Sequence, residues 1–490
     1  MVKTQEKDTA KSCGNQGLEG HSGKAVRIGP STAYSYCSER LSAFGGLLGL
    51  TKFMDAVQFE ELFTRHYIPP GRTPELGHFK MVYGIIILLY IGFNRIWHFL
   101  YLRFDSMLCG IFGVVKLPYV TTYWRYVNSL GINQGRSLLK VMGELRRRVW
   151  QACGIRHTLV HINMDTTVET LYGKQQGGRK GHNTKHRGKK AYRPVLGFIE
   201  ETRGYIVGKL RAGETIGGEE VAPLIRSFRT YLPECVKKVI IRGDGEFISW
   251  DAVKAAEAEG YHYIFGSKRH APPFADAGWY QVSRKDGVEY NESVYQPQGW
   301  EKACRFVVMR IPKEIPSEGE VQMELLEDGM YTYRIFATNR PGRPHGVIEE
   351  YDKRADCENL IGEAKREGLS SIPSGKCLSN YAYFQLVMLI YNIWRYCKIM
   401  AEQSLREDKA KEDEAAKVLR GIQDNTIWIA RLKLLLIAAK ITMHAKTTEV
   451  KYSQHDSRVP GLFRFMGYLD NLRSRLRPWP IGADPEAAFS

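Results

Sequence analysis

Four side chains in the C-terminal half of the chain share one spacing, Tyr351-x2-Arg354-x3-Glu358-x6-Lys365. On a helix turning about 100° per residue these offsets fall within a sector of roughly 60°. The spacing therefore predicts one face that carries a phenol, a guanidinium, a carboxylate and an ammonium. A carboxylate framed by cations has the makings of a metal-and-phosphate site, although a solvated helix with i,i+4 ion pairs uses the same residue types. On this helix Asp356 and Glu363 fall on the other side from Arg354 and Lys365 and are expected to face solvent. Glu350, about 40° from Arg354 on the same wheel, stands as a rival to Glu358.

Two further carboxylates sit where strands should end. Asp165 closes the period-two run Thr158-Leu-Val-His-Ile-Asn-Met-Asp165, and Asp244 follows Val239-Ile-Ile-Arg-Gly243. An unpaired carboxylate at the end of a buried strand is costly, and a turn aspartate capping the next segment is the plain alternative, which Asp244-Gly245 would suit. Two such residues on neighbouring strands, combined with Glu358, make a set of hard oxygen ligands. That set suits Mg²⁺ or Mn²⁺. A pair of such ions roughly 4 Å apart can activate a water or a 3′-hydroxyl in phosphodiester chemistry.

Between the two aspartates lies a glycine-rich, basic segment without a single acid, residues 173–194. Its glycines permit close backbone approach, and Arg179, Lys180, Lys185, Arg187, Lys189 and Lys190 are candidates for contact with a DNA backbone. It lacks the Gly-x4-Gly-Lys-Ser/Thr pattern of a Walker loop. His161, His182, His186, His262 and His270 have no metal-ligand spacing and read as packing or phosphate contacts.

The elements that must hold these groups follow from the patterning. The chain has 490 residues, 43% hydrophobic and 25% charged, with a net charge of +17. That describes a globular protein of two or three domains with a polyanionic partner, nucleic acid foremost. Nine scattered cysteines without a CxxC pair fit a reducing compartment and exclude a zinc ribbon. Met81–Leu102 is apolar but interrupted by Asn94, Arg95 and His98. Its clean part is far shorter than the about 20 residues a membrane span needs, so it reads as a buried core helix.

Residues 1–38 read as a flexible basic arm, and 39–155 as an all-α DNA-binding or dimerisation domain whose second long helix ends in Arg146-Arg147-Arg148. Strands alternating with helices over 156–269 indicate a mixed sheet with helices on both faces, an α/β class. Val168–Tyr172 is expected to neighbour the first strand. Residues 270–340 read as a separate β-rich insertion, 341–400 as the second part of the catalytic core with the Glu358 helix, and 401–490 as a helical, basic C-terminal region that opens with a solvated helix over Gln403–Lys417.

Asp165, Asp244 and Glu358, with the Tyr-Arg-Glu-Lys spacing, resemble the bacterial insertion-sequence transposases of the cut-and-paste DDE type, over about residues 40–445. Asn163-Met-Asp165-Thr and Ile241-Arg-Gly-Asp244-Gly-Glu-Phe247 look like the family's first two acidic motifs, and Tyr192-Arg-Pro194 fits its Tyr-x-Pro strand. The resemblance implies an RNase H-like catalytic fold with a β-rich insertion before the third acid. It implies that Asp165, Asp244 and Glu358 ligate two Mg²⁺ ions, with Mn²⁺ able to substitute, while Tyr351, Arg354 and Lys365 contact phosphates. It also implies binding of terminal inverted repeats, cleavage of the element's ends, joining of the 3′-hydroxyl to target DNA, a homodimer on paired ends, and a bacterial cytoplasmic, nucleoid-associated location. Relatives that form hairpins stack a flipped base on a tryptophan of the insertion, so Trp279 and Trp300 are candidates for that role, with β-core packing the alternative. A nuclease that cuts without joining, or a transposase-derived DNA-binding protein, would share much of this sequence.

Overall fold

The computed structural model describes residues 26–181, 186–267, 270, 272–283, 287–313, 331–407, 413–445 and 447–476. A short strand, β1 (Arg40–Ser42), precedes seven helices: α1 (Leu47–Ala56), α2 (Phe59–His66), α3 (His78–Ile91), α4 (Phe99–Leu102), α5 (Ser106–Phe112), α6 (Val120–Ser129) and α7 (Ile132–Ala152). The α3 sequence is apolar almost all round and is accordingly buried from Met81 to Ile91. It stops at Gly92, whose φ of +105° is cheap only for glycine. Among the described residues no single helix is long and apolar enough to cross a membrane.

The middle of the chain supplies β2 (Leu159–Thr166), β3 (Glu169–Thr170), β4 (Arg179–Lys180), β5 (Lys190–Tyr192), β6 (Val195–Ile199), β7 (Gly204–Lys209), α8 (Gly218–Tyr231), β8 (Lys238–Gly243), α9 (Trp250–Ala258) and β9 (His262–Gly266). Then come β10 (Tyr280–Gln281), β11 (Glu289–Tyr295), β12 (Cys304–Pro312), β13 (Tyr331–Thr338), α10 (Pro344–Asp352), α11 (Asp356–Ala364), the long α12 (Cys377–Glu407), α13 (Glu414–Leu419), α14 (Ile427–Leu434), β14 (Ala439–His444), β15 (Thr447–Tyr452) and α15 (Val459–Arg475). Nine strands form one sheet in the order β10-β11-β12-β13-β9-β8-β2-β6-β7. Only the β9-β8-β2 pairings are parallel.

Several expectations change here. The β-rich block is not a separate unit: β13 pairs directly with β9, Phe336 opposite Gly266, so its strands prolong the central sheet. Glu169–Thr170 does not neighbour β2 in that sheet but joins β5 and β4 in a small one of its own. The N-terminal helices share one continuous hydrophobic cluster with α12 and one face of the sheet, and β1 pairs with β14 near the other end of the chain. That region is therefore neither purely helical nor closed on its own core. Instead of one solvated helix over Gln403–Lys417, α12 runs on to Glu407 and α13 begins at Glu414.

The side of the sheet is covered by α12, where Asn392 accepts a hydrogen bond from Tyr205 N (2.8 Å) and donates to Tyr205 O (2.9 Å), and Gln385 donates to Gly208 O (2.9 Å). These amides satisfy backbone groups of β7, the edge strand, which would otherwise be buried without partners. Arg146 does the same from α7, donating to Tyr205 O and Tyr231 O. The Arg146-Arg147-Arg148 cluster is thus no DNA-facing end: Arg146 and Arg148 are buried, and Arg147 pairs with Glu144. Helix α7 approaches α12 closely at Gly135, where an added Cβ would fall 2.3 Å from the Tyr381 ring.

Lys398 on α12 is buried and donates to Asn425 O. Burial, aided by the neighbouring Arg395, pulls its pKa down from 10.5 to about 7. The unfolded chain thus holds this proton between pH 7 and 10.5 and the folded chain does not, so this group makes stability rise with pH over that window. We expect Lys398→Met to be most stabilising relative to wild type near pH 7, by up to a few kcal/mol at about 1.4 kcal/mol per pKa unit. The difference should shrink towards pH 10 in paired urea melts, and a pH-independent difference would contradict it.

Candidate functional site

Strand β2 alternates cleanly. Val160, Ile162 and Met164 enter the main core, which leaves His161, Asn163 and Asp165 on the opposite face, under α10 and α11. Strand β8 repeats the pattern, sending Ile241 to the main core and Ile240 to a smaller cluster with Val347 and Ile348 of α10. The two strands are parallel with Met164 opposite Gly243. Asp165 and Asp244 therefore follow that pair at neighbouring strand ends, close enough for the charge of Asp244 to act on Asp165. Each is tethered locally: Asp165 accepts from Thr166 N (2.8 Å), and Asp244 from Glu246 N (3.0 Å).

Beneath them Arg242 is fully buried. It donates to Asn163 Oδ1 (2.8 Å) and to Glu350 O, and it pairs with Glu200, so one guanidinium ties β2, β8, the β6 end and α10 together. Glu350 is settled by its partners. His161 Nε2 lies 3.0 Å and Arg340 Nε 2.9 Å from its carboxylate, and against the upward pull of burial they hold its pKa near 2. Its carboxylate is taken up by the ion pairs with His161 and Arg340.

The predicted single helix is broken. Helix α10 ends at Asp352, a 3₁₀ turn covers Lys353–Ala355, α11 follows, and a π-turn over Lys365–Leu369 contains Gly368 at φ +117°. A 3₁₀ turn advances about 120° per residue, so one helical wheel does not describe 351–365. Even so, Tyr351 and Arg354 reach the central sheet, and Lys365 reaches the segment that follows β2. Tyr351 packs on Phe336 with ring centroids 4.5 Å apart. Arg354 lies 3.2 Å from Asp165 and donates to Met164 O (3.0 Å). Lys365 lies 3.2 Å from Glu169 and donates to Val168 O (3.1 Å).

Glu358 lies in the first turn of α11 with its side chain exposed, lining a cleft shared with Arg203, Asn359 and Arg366. It is near enough to act on Asp165. Burial raises the Asp165 pKa to about 6; Arg354 opposes that rise, while the charges of Asp244 and Glu358 add to it. Among the described residues no three His, Cys, Asp or Glu side chains already stand together as a metal-ligand group. Asp165 is neutralised by Arg354 instead. The chemistry of the three donors nevertheless suits a hard cation: all are carboxylate oxygens, and the charges of Asp244 and Glu358 repel that of Asp165, a repulsion a cation would relieve.

The other side of α11 is not solvent. Glu363 is buried, paired with Arg395 and accepting from Ile427 N at the start of α14, which corrects the expectation that it faces water. Asp356 is half-exposed and paired with Arg203 at 2.8 Å. Two carboxylates near the site were not anticipated. Glu169 is buried beside Lys365, and Glu246 pairs with Arg193 and accepts from Thr166 Oγ1 (3.2 Å). The signal for Glu246 was its place two residues after Asp244; Glu169 offered only strand alternation.

The basic segment forms the β4–β5 ribbon, with Arg179, Lys180, Arg187, Lys189 and Lys190 all exposed. Arg179 pairs with Glu214 at 2.6 Å, and Lys189 lies 4.7 Å over the Tyr172 ring. Lys185 and His182 lie outside the described residues. Trp300 is a core residue packed against Trp250 and Phe306, its ring 8% exposed with its residue, so the packing alternative accounts for it. Trp279 is half-buried, with the Arg310 guanidinium 3.9 Å from its ring.

The family described as Transposase DDE domain group 1 matches residues 34–474. Among solved structures, a similar chain is the piggyBac transposase in a cryo-EM structure of its synaptic complex with hairpin DNA, at 11% identity and a TM-score of 0.37, covering 90% of this chain and 87% of that one. No curated protein matches the sequence.

Proposed function

This chain belongs to the Transposase DDE domain group 1 family, and on that premise we propose that it cuts the ends of a DNA element and joins the freed 3′-hydroxyls to target DNA by metal-dependent transesterification. The observation that supports this is the parallel register of β2 and β8, which brings the strand ends carrying Asp165 and Asp244 together, with the charges of Asp244 and Glu358 both felt at Asp165. In this reading Asp165, Asp244 and Glu358 hold two divalent ions, Mg²⁺ with Mn²⁺ able to replace it, on an RNase H-like core. Such ions supply Lewis acidity to the scissile phosphate, a more acidic nucleophile and charge stabilisation for the leaving oxygen.

The chain's own cations do the rest. Arg354 is held by Met164 O, so it keeps its place when its fork exchanges Asp165 for phosphate oxygens. Lys365, anchored on Val168 O, offers a point charge beside the segment that follows β2, and the Tyr351 hydroxyl lies over the β9 end near Gly266. The exposed β4–β5 ribbon attracts DNA backbone independently of sequence, and the N-terminal helical region takes part in binding terminal inverted repeats, with two copies acting on paired ends.

A supercoiled plasmid carrying the element's ends, incubated with protein and Mg²⁺, tests this. Excised and rejoined products are expected; nicking without joining would mark a nuclease, and binding alone a DNA-binding relic. A second measurement tests the ribbon. Replacing Arg187, Lys189 and Lys190 together by Gln should lower the slope of log affinity against log salt by about 2 to 3, near 0.9 per lost phosphate contact. An unchanged slope would remove these residues from the DNA path.

A further inference from the structure

Between Gly92 and Ser129 the chain exposes aromatic side chains that would ordinarily be buried. Trp97, Tyr101, Phe104, Tyr119 and Trp124 are all exposed, Tyr101 to 70% and Trp124 to 50%. They form one face. Trp97 and Trp124 line the same cleft of about 210 Å³, whose other walls include Ile96, Val120, Ile372 and Pro373. The Tyr101 ring lies 5.8 Å from that of Trp97. Arg103 lies 3.6 Å over the Tyr119 ring and 5.1 Å from that of Phe104.

The charge at the cleft itself is cationic: Arg95 lines it and Arg103 lies among the neighbouring rings, while Arg125 lines a separate pocket with Arg72 and Glu75. Asp105 is the sole carboxylate between Glu75 and Glu144. It is occupied as the N-cap of α5, accepting from Met107 N, Leu108 N and Ser42 Oγ. A second copy of this chain meeting the face by two-fold symmetry would set these cations against themselves, which disfavours a self-complementary dimer contact. Aromatic faces among unopposed cations are instead the chemistry that binds unpaired nucleic acid. Duplex bases hide their faces in the stack, whereas unpaired bases stack on side chains while cations hold the backbone.

The position suits this. Ser371, Ile372 and Pro373 in the cleft wall follow directly on the π-turn that ends the Glu358 helix. Two residues further, Gly375 O accepts from Gln176 N of the basic glycine-rich segment (2.8 Å).

We propose that this face is a stacking platform for an unpaired DNA strand, with one base held in the cleft between Trp97 and Trp124 and Arg95 on the adjoining phosphate. The proposal rests on DNA being the substrate, but its test needs no catalysis. Binding of a fluorescent oligothymidylate and of a duplex of equal length is measured with the full chain in EDTA. Trp97→Ala and Trp124→Ala should each weaken oligothymidylate binding by about 5- to 150-fold, the range expected for losing one stacked base. Duplex affinity should stay within about twofold, and Trp97→Phe and Trp124→Phe should retain most single-strand binding. Both positions are half-exposed, so thermal melting should show the fold intact.

Four results would each overturn the platform: no oligothymidylate binding by wild type, unchanged binding by both alanine variants, equal losses for duplex and single strand, or a shift from dimer to monomer in sedimentation with single-strand binding intact. Absence of Mg²⁺-dependent cleavage alongside the expected single-strand result would instead count against the carboxylate reading alone.

Discussion

Asp165→Asn, Asp244→Asn and Glu358→Gln should each reduce end cleavage on the order of 10³-fold or more while leaving DNA binding within a few-fold of wild type. The magnitude is that of removing a group aimed at the charge a phosphodiester develops in its transition state. Binding survives because the exposed cations of the β4–β5 ribbon lie outside the carboxylate cluster. Stability separates this reading from a structural one. Burial and the nearby charges of Asp244 and Glu358 already disfavour the ionised form of Asp165. Without metal, Asp165→Asn should therefore melt no lower than wild type. A variant that both cleaves normally and melts lower would make Asp165 a scaffold residue. The three variants also rank the assignment: Glu358 is exposed and carries no buried partner, so its loss should affect chemistry with the least effect on melting.

How much of this was legible depends on what each residue type can report. The period-two run Thr158–Asp165 was readable to within a residue of β2 (Leu159–Thr166), because alternation directly records a two-faced sheet. Asp165 and Asp244 were readable because a carboxylate ending an apolar strand is rare enough to carry information. The signature helix was only half readable. Of Tyr351-x2-Arg354-x3-Glu358-x6-Lys365, Tyr351 and Arg354 do reach the sheet and Lys365 reaches the segment just after β2, while Glu358 stays exposed, and the chain runs through a 3₁₀ turn and a π-turn. A wheel also says which side a residue is on, never what covers that side. Glu363 was placed correctly away from Arg354, but α12 and α14 lie there instead of water. The fate of Arg146 was hidden for the same reason. Three consecutive arginines read as a cationic surface until the edge strand β7 supplies a buried carbonyl for one of them. Long-range pairing of this kind, such as β13 with β9 or β1 with β14, leaves no local pattern to read.

The same hidden layer yields the second large effect. Glu367 and Arg431 form an ion pair with both side chains 3% exposed, and Arg431 also donates to Tyr90 O (3.0 Å). Glu363 and Arg395 form another one helical turn earlier. Together they fasten the far end of the Glu358 helix to α12 and α14. Glu367→Ala strands the Arg431 guanidinium in the core, which should cost about 3–5 kcal/mol in urea melts. Glu367→Leu combined with Arg431→Met replaces the pair by apolar groups of similar volume, and buried pairs replaced in this way lose little stability. The double variant should recover most of the loss. Function then distinguishes packing from positioning. If the pair sets the registry of the helix, the stable double variant should still cleave poorly, and its Mg²⁺ requirement should rise because the helix that carries Glu358 is no longer held in register with α12 and α14. Full cleavage at the wild-type Mg²⁺ requirement would show that apolar packing fixes the helix equally well, and the ion pair would then be a stability element without a positioning role.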